Sequence, residues 1–294
     1  TLMSLVYGKL IATHVDPIEK KPLFHFLPGT RSYSIATVGC NFKCLFCQNA
    51  DISQMPADQK QIWGEDMTPR MIVEDALANR SATISYTYTE PTIFYELAAD
   101  TARSAVSKGI RNIFVTNGYM TEECLKDIYP DLHGANVDLK AYTERFYKEQ
   151  CGAKLEPVLN SIETMKKMGV WLEVTTLLIP GLNDSREELK NLAKFLAELD
   201  PNIPWHISRF HPTYRLTDVH PTPAQSIHLA KEIGYEMGLK YVYTGNLPGD
   251  KGEKTFCHGC GELLIDRTGF FVGKNRIDGN QCPKCDAEIP GVWE

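Results

Sequence analysis

The segment Cys40-Asn-Phe-Lys-Cys44-Leu-Phe-Cys47 directly follows a short run of strand-forming residues, Tyr33–Thr37. Three thiolates on so short a loop suit a [4Fe–4S] cluster, which contains four irons and normally takes four cysteines. The fourth iron would then be free to chelate a small molecule. The alternatives are a structural zinc site that borrows a distant ligand and a set of buried thiols. The position of the loop after the first strand of a strand–helix repeat favours the iron–sulfur interpretation.

Outward from this loop, strand-forming runs alternate with longer helical ones. The predicted strands are Tyr33–Thr37, Thr83–Tyr88, Ile113–Thr116, Asn136–Asp138, Trp171–Leu178 and Trp205–Ser208. The predicted helices are Pro69–Asn79, Ile93–Lys108, Glu122–Ile128, Leu155–Met168, Ser185–Leu199 and Ala224–Met237. Such alternation predicts an α/β fold with a parallel sheet and right-handed crossovers. Six strands are too few for a complete eight-stranded barrel, and ligands are expected at the carboxyl ends of the strands.

The carboxy-terminal part of the chain contains a second group of cysteines. They form two pairs, Cys257 with Cys260 and Cys282 with Cys285, and a predicted β-hairpin separates the pairs. This layout is typical of a zinc ribbon or a rubredoxin, and small four-cysteine modules bind zinc most often. Zinc is therefore favoured, with a single iron or a second iron–sulfur cluster as alternatives. We predict three parts: an irregular N-terminal extension (1–31), a barrel-like domain (32–250) and a four-cysteine zinc-ribbon/rubredoxin-like module (251–294).

Composition narrows the class of protein further. The chain has 294 residues, nine of them cysteine, and a formal net charge of −6. The acidic balance argues against a nucleic-acid partner, and no apolar run is long enough to cross a membrane. Clustered cysteines without a secretory leader indicate metal ligation in a reducing compartment, so we predict a cytoplasmic protein. The two remaining cysteines, Cys124 and Cys151, are expected to behave as small buried hydrophobic residues.

The three-cysteine loop resembles the signature of the radical S-adenosylmethionine (SAM) superfamily, with Phe46 as the aromatic residue before the last cysteine. The resemblance implies a partial (β/α)6 barrel and a [4Fe–4S] cluster on Cys40, Cys44 and Cys47. It also implies that the open iron binds the amino and carboxylate groups of SAM. One electron then cleaves SAM to methionine and a 5′-deoxyadenosyl radical, which abstracts a hydrogen atom. A low-potential electron donor such as flavodoxin or ferredoxin would supply that electron.

Motifs at the other predicted strand ends resemble those of pyruvate formate-lyase activating enzymes. They are Tyr88-Thr-Glu-Pro91, Thr116-Asn-Gly118, Asp138-Leu-Lys140 and Ile179-Pro-Gly181. The sequence departs from that pattern at three places: Tyr88-Thr89 replaces Gly-Gly, Val115 replaces an acid, and Glu173 replaces an arginine. The string Asp16–Pro22, with Phe24–Gly29 and Cys47-Gln-Asn49, more closely resembles the AmmeMemoRadiSam system radical SAM enzyme. That resemblance implies Memo-like and AMMECR-like companion proteins and leaves the small-molecule or protein substrate unknown.

Charged and polar residues at these strand ends are candidates for binding SAM. Glu90, or the carbonyls beside it, could accept hydrogen bonds from the ammonium group, and Lys140 could pair with the carboxylate. Three more residues match polar positions of the activating-enzyme pattern and could contact the ribose or the methionine portion: Asn49, Asp138 and His211. Two groups are weaker candidates for the substrate side: His14, Asp16, Glu19 and Lys20, and then Arg209, His211, Tyr214 and Arg215.

Three functions remain to be compared. The favoured one is a radical SAM enzyme of the AmmeMemoRadiSam type, acting as an oxidoreductase-like generator of the 5′-deoxyadenosyl radical. The second is an activating enzyme for a glycyl-radical enzyme. The third belongs to another class, a zinc-binding adaptor protein in which both cysteine groups are structural. Metal analysis with an absorption spectrum distinguishes them, because the adaptor would contain zinc only and be colourless.

Overall fold

A computed structural model describes residues 3–294 and contains one large sheet of eight strands. The strands are β1 (Ala12–Pro17), β2 (Arg31–Ala36), β3 (Thr83–Tyr86), β4 (Arg111–Thr116), β5 (Gly134–Asp138), β6 (Trp171–Leu178), β7 (Trp205–Arg209) and β8 (Val242–Gly245). They lie side by side in chain order. Strands β2 to β8 are parallel, and β1 pairs antiparallel with β2 at one edge. The predicted α/β class is therefore confirmed.

Six helices of seven residues or more connect these strands. They are α1 (Pro69–Ala78), α2 (Tyr95–Val106), α3 (Glu122–Ile128), α4 (Glu156–Met168), α5 (Arg186–Leu199) and α6 (Ala224–Glu236). Each buries an apolar stripe against the sheet; on α5, for example, Leu189, Leu192 and Leu196 are buried. All six predicted helices are present, with ends that differ by at most two residues. Within residues 3–294, no helix is long and apolar enough to cross a membrane.

Two strands of the sheet lie outside the predicted set. Strand β1 belongs to the segment 1–31, so the prediction that this segment is irregular is wrong. Most of its residues are exposed or half-buried and it ends in Pro17, which an edge strand tolerates because one side of its backbone needs no partner. Strand β8 has only four residues, pairs with β7, and is covered by helix α6 and by the apolar cluster that includes Tyr243. The run Tyr241-Val-Tyr-Thr244 around β8 consists of aromatic and β-branched residues, so the sequence carried a strand signal there that the prediction omitted.

The segment that follows β1 crosses the amino-terminal end of the sheet. The backbone N–H groups of Phe24 and His25 donate to the Glu173 carboxylate over 2.9 and 2.8 Å. Phe26 packs so closely on β5 that a Cβ at Gly134 would lie 3.0 Å from its ring. Glu173, where the activating-enzyme pattern has an arginine, thus anchors a buried segment that closes one end of the barrel. Burial raises the pKa of Glu173, but the hydrogen bonds from His206 and from Phe24 N–H, together with the charges of His206 and His25, outweigh it, and the net shift is downward.

The carboxy-terminal module contains a small antiparallel sheet of β9 (Thr255–Phe256), β10 (Leu263–Thr268) and β11 (Phe271–Asn275). Its apolar core is shared with the barrel, since Leu264 and Ile265 pack in one cluster with Phe24, Tyr241 and Tyr243. The tail also pairs with the N-terminal segment: Leu27 N–H donates to Val292 O over 2.7 Å. The module is therefore packed against the closed end of the barrel, opposite the carboxyl ends of the strands.

Candidate functional site

The three-cysteine loop lies immediately after β2, at the carboxyl end of the parallel strands. Its backbone is held by a second loop: Lys43 N–H donates to Cys151 O over 2.8 Å, and Leu45 N–H donates to Gln150 O over 2.9 Å. The accepting residues belong to a π-helical turn, Tyr147–Cys151, a conformation found frequently at functional sites. Phe42 and Phe46, which belong to the loop, are buried. These contacts give the cysteines a defined position.

The three thiols of this loop are free and partly or fully buried. Phe42 N–H donates to the Cys40 sulfur over 3.4 Å, and the Cys47 sulfur lies 3.2 Å from the Ser53 hydroxyl. Burial raises the pKa of Cys40 to about 12 and also raises that of Cys47. The Cys44 thiol contacts Cys151, and this contact together with burial raises its pKa well above the ordinary value. Three sheltered thiols on one loop are a donor set that suits an iron–sulfur cluster.

The two cysteines outside the predicted metal sites differ in their surroundings. Cys151 is fully buried, as the sequence predicts. It is not merely a core residue, however, because its side chain faces Cys44. Cys124 is only half-buried and lies on α3.

Lys140 lies next to the cysteine loop together with two other predicted site residues. Its Nζ is 3.0 Å from the Asp138 carboxylate and 5.9 Å from the centre of the Phe46 ring. Burial by itself lowers the pKa of Lys140, but the Asp138 carboxylate and the thiols of Cys44 and Cys151 outweigh it and raise the pKa. The side chain of Asp138 is 38% exposed, compared with 14% for Lys140. This edge therefore offers a stable cation beside an accessible carboxylate.

Asn49 connects the cysteine loop to the end of β3. Its Nδ2 donates to the backbone oxygen of Tyr88 over 2.8 Å. Tyr88 has a φ of 63°, in the left-handed region that favours glycine. The activating-enzyme pattern has glycine at this position, so the backbone shape agrees with that pattern although the side chain does not. The oxygen of the Asn49 side chain remains available as an acceptor for a ligand.

Glu90 is almost fully buried, and its carboxylate is occupied by groups of the protein itself. Oε1 accepts from Thr92 N–H, Thr92 Oγ1 and Thr116 Oγ1 at 3.2, 2.6 and 2.8 Å. Oε2 accepts from Asn117 N–H at 2.8 Å. A carboxylate has about four lone-pair sites, so little capacity remains for an ammonium group. This geometry corrects one expectation: the Glu90 carboxylate joins the segment after β3 to the end of β4, through Thr116 and Asn117, rather than offering a free acceptor.

His211 is exposed on the loop after β7. Within residues 3–294, no hydrogen bond joins it to the other predicted site residues. Its neighbours do reach the cysteine loop, since Arg215 N–H donates to Leu45 O over 3.0 Å. The side chains of Arg215 and Tyr214 both bind Asp58, at 2.9 and 2.7 Å. These two side chains therefore brace the loop rather than present unpaired charge to a substrate.

Asn117 and Asn41 are site residues that the sequence analysis did not select. Asn117 Nδ2 donates to Asn41 Oδ1 over 2.7 Å and lies 3.8 Å from the Cys40 sulfur. Asn41 Nδ2 in turn donates to Tyr119 O over 3.1 Å. The Thr116-Asn-Gly118 motif at the end of β4 was the available signal. Its tight bend uses Gly118 at φ 70°, where an added Cβ would lie 2.8 Å from Val137.

The four cysteines of the carboxy-terminal module come together although they are distant in sequence. All four sulfur atoms lie within 4.8 Å of one another. Cys257 is 3.6 Å from Cys285, and Cys260 is 3.7 Å from Cys282. Four thiols in this arrangement suit a single tetrahedral metal ion, and either zinc or iron is compatible with the donor set.

Parallel strands with a three-cysteine loop at their carboxyl ends define a partial-barrel fold with a candidate metal-cluster site. The chain belongs to the radical SAM superfamily, whose family model matches residues 34–196. It is 49% identical over 291 residues to an uncharacterised protein of Methanocaldococcus jannaschii, covering 98% of this chain and 86% of that one. It is 24% identical over 176 residues to the pyruvate formate-lyase-activating enzyme of Clostridium pasteurianum, covering 58% of this chain and 71% of that enzyme.

Similarity to solved structures confirms the fold. The structure of a radical SAM methyltransferase from Sphaerobacter thermophilus matches with a TM-score of 0.58 at 16% identity. The match covers 74% of this chain and 67% of that one. The predicted homology to pyruvate formate-lyase activating enzymes is likewise confirmed, and the proteins of this superfamily are enzymes.

Proposed function

We propose that this protein is a radical SAM enzyme that binds a [4Fe–4S] cluster through Cys40, Cys44 and Cys47 and cleaves SAM reductively. The observation that carries the proposal is the loop of three sheltered thiols at the carboxyl end of the sheet, beside Lys140. When bound, the cluster supplies one electron that splits SAM into methionine and a 5′-deoxyadenosyl radical, which takes a hydrogen atom from the substrate. We also propose a cytoplasmic location and a low-potential flavodoxin or ferredoxin as donor.

The chain's own residues would bind and orient SAM. The Lys140 ammonium can pair with the SAM carboxylate, and the half-exposed Asp138 can accept from a hydroxyl or ammonium group. Asn49, whose Nδ2 binds Tyr88 O, would offer its side-chain oxygen as a further acceptor. Glu90 would act by holding the Thr116 hydroxyl and the Asn117 backbone N–H in place. The buried rings of Phe42 and Phe46 exclude water from one side of the loop, which strengthens electrostatic interactions at the site.

Two candidate substrate classes follow from the relatives and the motifs. Similarity to pyruvate formate-lyase-activating enzyme favours a glycyl-radical protein as a second candidate. The motifs between Asp16 and Gly29 instead favour the AmmeMemoRadiSam system, with Memo-like and AMMECR-like companions, and we prefer this proposal. For the four-cysteine module we propose zinc, with iron in a rubredoxin-like site as the alternative.

Anaerobic reconstitution with iron and sulfide tests the proposal. The parent protein should turn brown, bind about four irons in the barrel and release 5′-deoxyadenosine from SAM under dithionite. Cys44→Ala should lose the cluster and the cleavage while the metal of the carboxy-terminal module stays. Cys124→Ala, a half-buried cysteine on α3, is the matched control and should keep both. A colourless parent that contains only zinc would instead support the adaptor.

A further inference from the structure

Tyr88 connects the cysteine loop to a charged group on the N-terminal edge strand. Its backbone oxygen accepts from Asn49, and its hydroxyl donates to the Asp16 carboxylate. A non-glycine residue in the left-handed region persists only where its surroundings determine its conformation, and such residues concentrate at ligand sites. The ring of Tyr88 therefore has a fixed position between the predicted SAM site and β1.

The group around Asp16 carries more positive than negative charge. Lys21 Nζ and Lys20 Nζ lie 2.6 and 2.9 Å from the two oxygens of this single carboxylate. Asp16 also accepts from Ser34 Oγ over 2.9 Å, and its pKa is well below the ordinary value because these hydrogen bonds outweigh its burial. Two ammonium groups on one carboxylate leave a net positive charge beside the sheet.

The two lysines differ in their access to a ligand. The Lys21 side chain is only 1% exposed, and its Nζ lies 4.3 Å from the centre of the Tyr88 ring. Burial lowers the pKa of Lys21 to about 8. The Lys20 side chain is 43% exposed, and one of its three N–H donors is used by Asp16. Lys21 therefore neutralises Asp16, which leaves Lys20 able to bind an external anion.

His14 adds a second exposed donor next to the same ring. His14 and Asp16 are two residues apart on β1, so their side chains lie on the same face of the sheet. The His14 imidazole packs edge-on against Tyr88 with the ring centres 5.7 Å apart, and Lys20 Nζ is 5.9 Å from the same ring centre. Glu19, the fourth residue predicted for this region, lies elsewhere: it accepts from Gly29 N–H and is 3.7 Å from Arg267.

We propose that Lys20, His14 and the ring of Tyr88 form a subsite that binds the anionic group of the substrate, a carboxylate or a phosphate. The inference rests on the proposed function, because it places the substrate between this subsite and the cysteine loop. Lys20 and His14 supply N–H donors to the anionic oxygens, and the Tyr88 ring supports the neighbouring planar or apolar part. The substrate class is thus a small or peptide-borne carboxylate or phosphate.

Calorimetric titration tests the subsite. The reconstituted holoenzyme, with SAM present, is titrated separately with two probes, inorganic phosphate and malonate. The parent should bind at least one of them, and the preferred probe identifies the anion. Lys20→Met should weaken that binding about tenfold or more, whereas Lys20→Arg keeps the charge and should keep most of it. His14→Gln should also weaken it. Lys9→Met, at an exposed lysine paired with Asp66, is the control and should bind like the parent.

The subsite is overturned if the parent binds neither probe, if Lys20→Met binds like the parent, or if Lys9→Met is weakened equally. Folding should survive in Lys20→Met because Lys21 still pairs with Asp16. SAM cleavage under dithionite, measured on the same samples, separates this proposal from the proposed function. Normal cleavage without anion binding refutes the subsite alone. Anion binding through Lys20 without any cleavage by the parent refutes the proposed function and leaves an anion site.

Discussion

Arg267, on strand β10 of the carboxy-terminal module, donates through Nη2 to the backbone oxygen of Phe24 over 2.6 Å. Its guanidinium also lies 4.4 Å from the centre of the Phe24 ring and 3.7 Å from the Glu19 carboxylate. Arg267 and Glu19 are both fully buried. The Arg267 guanidinium of the carboxy-terminal module is therefore part of the closed end of the barrel. We expect the module and the barrel to stabilise each other.

Arg267→Met should lower the free energy of unfolding of the whole chain by about 3–5 kcal/mol, because it leaves the Glu19 carboxylate buried without its cation. Chemical denaturation of the metal-loaded protein measures this loss. Arg276→Met removes a more exposed arginine of the same module, paired with Glu262 at 3.4 Å, and should cost about 1 kcal/mol or less. The double variant with Glu19→Gln should recover part of the loss. Equal stability of the Arg267 and Arg276 variants would show that the module does not support the barrel.

Lys140→Met should weaken SAM binding about tenfold or more while the cluster remains, since the lysine contacts no iron but supplies a charge-assisted hydrogen bond. Titration of the reduced cluster with SAM, followed by electron paramagnetic resonance, gives the affinity. Lys43→Met is the matched control, because Lys43 is exposed on the cysteine loop itself. The role is excluded if both variants bind SAM with the affinity of the parent.

Glu90→Gln should destabilise the protein as well as the site, because an amide N–H₂ would face groups that themselves donate. The expected loss is about 1–3 kcal/mol of unfolding free energy, the cost of buried donors without acceptors. Weaker SAM binding should accompany it as Asn117 loses its position. Glu96→Gln, at an exposed position on α2, should leave both quantities unchanged. If Glu90→Gln reduced SAM affinity but left stability unchanged, the result would indicate that Glu90 contacts SAM directly.

His25 should make the protein less stable in mild acid. Its imidazole lies 2.7 Å from Pro290 O and 2.6 Å from Tyr243 Oη, and burial lowers its pKa from 6.5 to about 4. Between these values the unfolded chain binds a proton that the folded chain does not. The free energy of unfolding therefore falls as pH decreases from 6.5 towards 4, by up to about 3 kcal/mol in total.

His25→Asn should remove this part of the pH dependence, in addition to lowering stability at neutral pH. Thermal unfolding measured from neutral to mildly acidic pH in the parent and the variant gives the comparison. His220→Asn, at an exposed histidine, is the control and should keep the slope of the parent. The assignment is wrong if the slope of His25→Asn equals that of the parent.

Much of the fold could be predicted because its signals are local. Helix α5 shows its apolar period within fourteen residues, and the three cysteines lie within one loop that continues a strand. The α/β class and the superfamily follow from such contiguous patterns. The edge strand β1 was missed because a largely exposed strand becomes stable only through its neighbour in the sheet. Strand β8 was missed although Val242, Tyr243 and Thr244 favour a strand.

The roles of charged residues depended on the tertiary structure. From sequence, Glu90 and Lys140 are equivalent candidates at strand ends, yet Glu90 is saturated by four protein donors while Lys140 lies beside Asp138 and Phe46. Asp16 and Glu19 are three positions apart, but one faces Tyr88 and the other Arg267 of the distant module. Spacing along the chain determines which side chains a loop or helix presents. Whether a buried charge binds a ligand or the protein itself is decided by which donors surround it, and those come from segments far apart in sequence.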